Sequence, residues 1–378
     1  SRGLGDVYKR QEEECWGFII NELKELAPDL PLKWDSDNSG RATQKAAYGL
    51  LSRVALYAEK WDVAAQAARD CATAEGNLDL SENGYAKIFE LGINSPEVLF
   101  AVEFKSSVID HAYDAYVRPS GDTKELGKQV YSGFVPTSEL VDSYEMAGDG
   151  GNFSWEKHGK DPYANREPRF YATILYNGAD WMGRKIESFV GGKDGYKAYE
   201  NAGAAGTTVT GYYLRKYLID GDKTWVTSGS GQDWIVLRYA EVLLNKAEAL
   251  AMENWNKNSA EALQALNDVR ARVGLPARAT ADKETFLEYV RHERKVELAG
   301  EGFRYWDLRR WRLAEKVIDG QNVHGVKISK QSDGSFTYEQ VDADGGHKRI
   351  FYDRYYRFAI PLSERSNNSL CTNNDGWI

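Results

Sequence analysis

Glu293, Glu297 and Glu301 recur every fourth residue near the end of this chain, the spacing that lines side chains up on one helix face. Paired carboxylates roughly 5–10 Å apart can cleave a glycosidic bond, one as acid and one as base or nucleophile. With 57 acidic residues in 378, many such pairs are open to the chain, and the sequence does not refute every one. These three glutamates, however, stand beside Arg291, Arg294, Lys295 and Arg304, and the pattern reads first as ion pairs on helix faces.

Other catalytic arrangements find no support. The five histidines (111, 158, 292, 324 and 347) are scattered, and His292–Glu293 lacks the second histidine of a zincin motif. No G-x-S-x-G elbow, Walker loop or dinucleotide fingerprint occurs, so no cofactor is expected. Asp35, Asp37, Ser39 and Gly40 begin like a calcium loop, but its twelfth position is Ala46 where a bidentate glutamate is required; a polar turn is the expected structure. Cys15, Cys71 and Cys371 form no CxxC pair or Cys/His cluster, so no metal site is expected either.

Aromatic side chains are the more informative chemistry. Sugars present C–H faces that stack on Trp and Tyr rings, while amide, carboxylate and guanidinium groups bond their hydroxyls. Trp155, Trp181, Tyr199 and Trp225 lie in polar, glycine-rich surroundings and are the candidate ligand-binding residues. The competing role for each is to pin a long loop onto a scaffold.

Those loops need helices to hold them. Cys15–Leu26, Ala46–Ala58 and Asp62–Ala74 carry helical periodicity, and Ala47, Ala55, Ala58, Ala64, Ala65 and Ala68 let the last two pack closely. Trp61 followed by Ala64 and Ala68 suits half of a tetratricopeptide unit. A helix is expected over Trp234–Met252, a second capped by Ser259 and running to Arg272 before Gly274 and Pro276, and a third from Thr280 or Asp282 to Ala299. Phe303–Ile318 resumes the helical pattern. Between the helical blocks, Leu80–Gln232 is loop-rich, with short strand-like runs at Val98–Phe104, Tyr171–Tyr176 and Gly211–Leu218 and a glycine-rich stretch from Gly191 to Gly211. Residues 12–75, 80–232, 233–318 and 319–378 thus read as a helix pair, a ligand-side insert, C-terminal helix pairs and an irregular tail containing a strand pair near Val326–Ile328 and Phe336–Tyr338.

The net charge of −9 argues against a nucleic-acid partner, which needs a basic footprint, and no run of 18 apolar residues spans a bilayer. Ser1–Gln11 (SRGLGDVYKRQ) reads as a translated sequencing-library adapter, so the chain is expected to be the C-terminal part of a longer product.

A series of segments then carries a resemblance. They are GRATQKAAYGLLSRVALYAEKWDVAAQAARD (Gly40–Asp70), NSPEVLFAVEF (Asn94–Phe104), YANREPRFYATILYNGADW (Tyr163–Trp181) and WIVLRYAEVLLNKAEAL (Trp234–Leu250), followed by LNDVRARVGLP (Leu266–Pro276), ERKVELAGEGFRYWDLRRW (Glu293–Trp311) and IPLSERSNNSL (Ile360–Leu370). In this order they resemble the RagB/SusD nutrient-uptake lipoproteins of Bacteroidota over nearly everything after Glu12. The resemblance implies a mainly α fold of tetratricopeptide-like helix pairs with long loops and a few short strands. It also implies a surface-exposed outer-membrane lipoprotein, held by a lipid on a cysteine that is not Cys15. Such a protein binds an oligosaccharide or polysaccharide without catalysis and hands it to a SusC-like TonB-dependent transporter. A peptide-capturing member of the family, an α-helical glycoside hydrolase and a protein-binding helical scaffold remain open alternatives. The matched motifs are scaffold, with Arg238, Glu241, Glu297, Arg304 and Asp307 expected to form an ion network between helix pairs.

Overall fold

A computed structural model of the chain describes residues 12–199, 207–368 and 370–377; the adapter-like Ser1–Gln11 and part of the Gly191–Gly211 stretch lie outside the described residues. Helix Glu12–Leu26 packs on Gln44–Tyr57, which pairs in turn with Trp61–Thr73. Ala55, Ala64, Ala65 and Ala68 are all at most 2% exposed, so the seam closes on small side chains as the sequence leads one to expect. Trp61–Thr73 then packs on the long helix Tyr239–Arg272, and that helix on Lys283–Glu297. One apolar core runs through all of them, from Leu51 and Ala68 to Leu250, Leu266 and Phe286. Asp282 caps Lys283–Glu297 by accepting the Thr285 N–H at 2.7 Å.

The expected helix at Trp234 begins later. Trp234–Arg238 is a strand, paired antiparallel with Val98–Val102 in the register Ala101↔Ile235 and Val102↔Trp234. Its β-branched and aromatic residues take the partner that the chain brings from far upstream. Nor does Ser259 cap a separate helix. The backbone breaks at Asn254 (φ −164°, ψ 93°), whose side chain accepts the Lys257 N–H at 3.2 Å, so Trp255–Asn258 already belongs to the second half. Tyr171–Tyr176 also differs: Pro168–Thr173 is helical, and only Ile174–Leu175 is extended, against Tyr213–Leu214. Asp35 accepts from the Asn38 N–H at 3.0 Å and closes the polar turn read from the sequence.

In the tail, His324–Lys330 and Phe336–Asp342 form a hairpin. It docks through the Val326 N–H on the Thr210 carbonyl at 2.9 Å, an approach that requires Gly325, because a Cβ there would sit 2.4 Å from Thr210 Cα.

Buried ion pairs join insert to scaffold, and they are not the helix-face pairs that local spacing suggests. Glu297 accepts from Arg238 at 2.6 Å, Arg169 at 2.9 Å, and Arg272; Glu301 takes Arg238 at 2.7 Å and Lys216 at 2.6 Å. Glu293 takes Arg169 and Arg270. Burial pushes the Glu297 carboxyl up, but Arg272, Arg238 and Arg169 together hold it well below the usual range. Of the expected network, Glu241 pairs instead with Arg53 at 2.6 Å. Asp307 pairs with Arg294 at 2.8 Å and Arg310 at 2.9 Å, and not with Arg304.

Candidate functional site: an aromatic surface on the insert

The four sequence-derived aromatics are not brought together into one displayed surface. Trp181 and Trp225 are 0% and 1% exposed, and between them lies the guanidinium of Arg118, with Cζ 5.2 and 5.0 Å from their ring centroids. A sugar could reach either indole only by displacing that packing. Trp155 is half-buried, donating from Nε1 to Asp142 Oδ2 at 2.9 Å and lying 6.1 Å from the Tyr338 ring. Tyr199 is exposed, beside His347.

Around Arg118 the insert is rigidly built. Arg118 is wholly buried and donates to Asp114 at 2.7 Å and Asp122 at 3.4 Å. Asp122 also receives Trp181 Nε1 at 3.0 Å and Arg184 at 2.7 Å, and Arg184 reaches on to Asp194 at 2.7 Å. The short ladder Asp180–Trp181 with Arg184–Lys185 sets Trp181 opposite Arg184. Its two-residue turn has both residues at positive φ, Met182 at 53° and Gly183 at 74°, the combination whose twist suits a tight hairpin and for which glycine is favoured.

On this base sit rings that the sequence reading passed over. The loop after Lys128 runs along Ala115–Arg118, with Tyr131 N–H on Ala115 O at 2.7 Å, Gly133 N–H on Tyr116 O at 2.7 Å and Ser132 Oγ on Arg118 O at 2.9 Å. Lys128 Nζ ties the start of that loop to the Trp225 carbonyl at 2.9 Å. Tyr116 and Tyr131 therefore stack, centroids 5.1 Å apart and planes at 27°, while remaining 47% and 45% exposed; Phe134 beside them is 63% exposed. Exposed aromatics cost solvation free energy unless something covers them, and the hydrogen bonds beneath hold the backbone from which these rings project. The signal available in sequence was a pair of tyrosines flanking Pro119 and Gly133 turns, weaker by eye than a tryptophan among glycines.

A profile of the SusD family matches residues 96–377. The chain belongs to the SusD family. It is 25% identical to a SusD-like protein of Bacteroides ovatus over 89% of its length, spanning 59% of that relative. Over a shorter stretch, 32% of the chain, it is 32% identical to a SusD-like protein of Formosa agariphila. Among solved structures, a SusD-like protein of Bacteroides fragilis superposes with a TM-score of 0.82 at 27% identity, covering 99% of this chain and 74% of that one. A SusD-like carbohydrate-binding protein of the same organism gives 0.78 at 26% identity, covering 96% and 71%. The tetratricopeptide-like helical architecture is thus the SusD-like fold, and the ion pairs at Arg238 and Glu297 lie within the matched region.

Proposed function

We propose that this protein captures glycan at a cell surface, stacking sugar rings on Tyr116, Tyr131 and Phe134, and delivers it to a SusC-type TonB-dependent transporter of the outer membrane. The observation that carries the reading is the half-exposed Tyr116–Tyr131 stack on a hydrogen-bonded backbone. A carbohydrate-binding relative with the same fold supports the ligand class. Tyr199 offers a further exposed ring, Trp155 a half-buried one, and Trp181 and Trp225 act from beneath by fixing Arg118.

Stacking contacts of about 1 kcal/mol each give micromolar to millimolar affinity for a short glycan, suited to a protein that must pass its ligand on. A long polymer touching several such surfaces is held more tightly through effective concentration. The reading is of binding without turnover. The membrane association is through a lipid anchor, and the transporter takes a separate, larger surface.

The test is affinity electrophoresis on polysaccharide gels with a parallel assay for released reducing sugar. Retardation of the wild type by one polysaccharide, lost in folded Tyr116→Ala and Tyr131→Ala, is the expected result. Sugar release would make the protein a hydrolase, and absence of retardation by every glycan would move the reading to peptide capture.

A further inference from the structure

A second aromatic cleft, of about 330 Å³, lies where the insert meets the tail hairpin. Asp161 and Tyr163 enter it from the loop after Trp155–His158, Tyr176 and Asn177 from the end of the Ile174–Leu175 strand, and Phe336 and Tyr338 from alternate positions of one hairpin strand. Tyr163 stands 4.7 Å from Tyr176 and 5.7 Å from Tyr338 between ring centroids, the latter pair at 88°, so the rings make a corner rather than a flat wall.

The polar groups of this corner are not tied up by the fold. Among the described residues the Asp161 carboxylate and the Tyr176 and Tyr338 hydroxyls have no hydrogen-bond partner. Asn177 is only 6% exposed, yet its Oδ1 is without one as well. Polar side chains shut away from water are nearly always paired, and leaving one unpaired costs about 1–3 kcal/mol. The buried Asn177 amide oxygen, with the solvent-exposed Asp161 carboxylate and the partly exposed Tyr176 and Tyr338 phenols beside it, describes the complement of a hydroxylated ring: carboxylate and amide to bond its hydroxyls, phenols to give or accept, ring faces for its C–H surface. The Asp161 carboxylate is the one charged group of the lining, so an acidic sugar would be repelled.

Resting on the glycan-binding reading above, we infer that this cleft is a separate subsite for the end of a neutral glycan, distinct from the Tyr116–Tyr131 surface. Its size suits a short terminus rather than a through-running chain.

Saturation-transfer NMR and titration of the whole chain with the methyl glycosides of glucose, galactose, mannose and xylose, and with methyl galacturonide as the acidic counterpart, test it. At least one neutral glycoside should bind and the galacturonide should not. Asp161→Asn and Tyr338→Phe, which remove one charge and one hydroxyl, should each weaken that binding about three- to tenfold. Tyr116→Ala with Tyr131→Ala should leave it unchanged. Binding of no neutral glycoside, equal binding of the galacturonide, or loss only in the Tyr116/Tyr131 variant would overturn the subsite. If polysaccharide gels still retard the wild type in those cases, the subsite alone fails; if they do not, the glycan reading fails with it.

Discussion

Glu297 and Asp161 are both carboxylates set among aromatic and charged neighbours, and they are used in opposite ways. Glu297 is fully buried and held by Arg169, Arg238 and Arg272, its oxygens matched within the protein. Asp161 stands at the edge of an aromatic cleft with its oxygens unbonded to any described residue. The first ties the insert to the helices; the second leaves its bonding capacity for something from outside. A carboxylate that holds the fold together has its oxygens taken by neighbouring arginines, whereas the one at the proposed subsite leaves them to solvent or ligand.

The same chemical change, carboxylate to amide, should therefore have very different effects at the two positions. Glu297→Gln leaves three buried arginines short of a counter-charge and should destabilise the fold by about 3–5 kcal/mol, read by urea denaturation. A loss below about 1 kcal/mol would remove the network as a cause of stability. Next in size, Trp181→Ala opens a cavity against Arg118 and should cost about 3 kcal/mol while also weakening polysaccharide retardation, because the base of the Tyr116–Tyr131 surface loosens.

A smaller effect follows from Lys216, which is inside the same network. Burial brings its pKa down to about 8, against the opposing pull of Glu301. The unfolded chain keeps that proton up to the ordinary lysine value of 10.5, so between the two values it binds more protons than the native state. Lys216 therefore adds stability as the pH rises from about 8 towards 10.5, and the contribution is lost as the pH falls through 8. Urea titrations of wild type and Lys216→Met across this window should differ in slope; parallel profiles would mean the lysine is not desolvated. Smallest of all, Asp161→Asn and Tyr338→Phe should change stability by no more than about 0.5 kcal/mol, since neither group bonds within the fold. A larger loss in either would place that residue with the scaffold and dissolve the contrast.

The helical part was legible in the sequence because its signals are local. Alanine spacing in Ala55–Ala68, the Asp282 cap and the Gly274–Pro276 stop each act within a few residues, and the family motifs lie on those elements. What escaped reading depends on residues distant in the chain. Trp234–Arg238 is extended because Val98–Val102 lies beside it. Glu293 and Glu297 pair with Arg169, more than a hundred positions away, rather than with their helical neighbours. Trp181 and Trp225 are hidden by Arg118, and no property of their own glycine-rich surroundings reveals it. Tyr116 and Tyr131 are brought together by backbone bonds between the Tyr131–Gly133 loop and the short helix Tyr113–Val117, a pairing that the pattern of neither segment announces.

The hydrogen bonds that lay the Tyr131–Gly133 loop along Ala115–Arg118 also set how quickly the surface can work. A ring pair already stacked on a fixed stretch of backbone has less conformational freedom to lose when a sugar arrives, so less ordering entropy opposes the encounter. Arrival then requires no preceding rearrangement, and departure is limited only by breaking shallow contacts. Pre-organisation here favours rapid turnover of ligand at modest affinity, as the proposed handing-on of cargo requires.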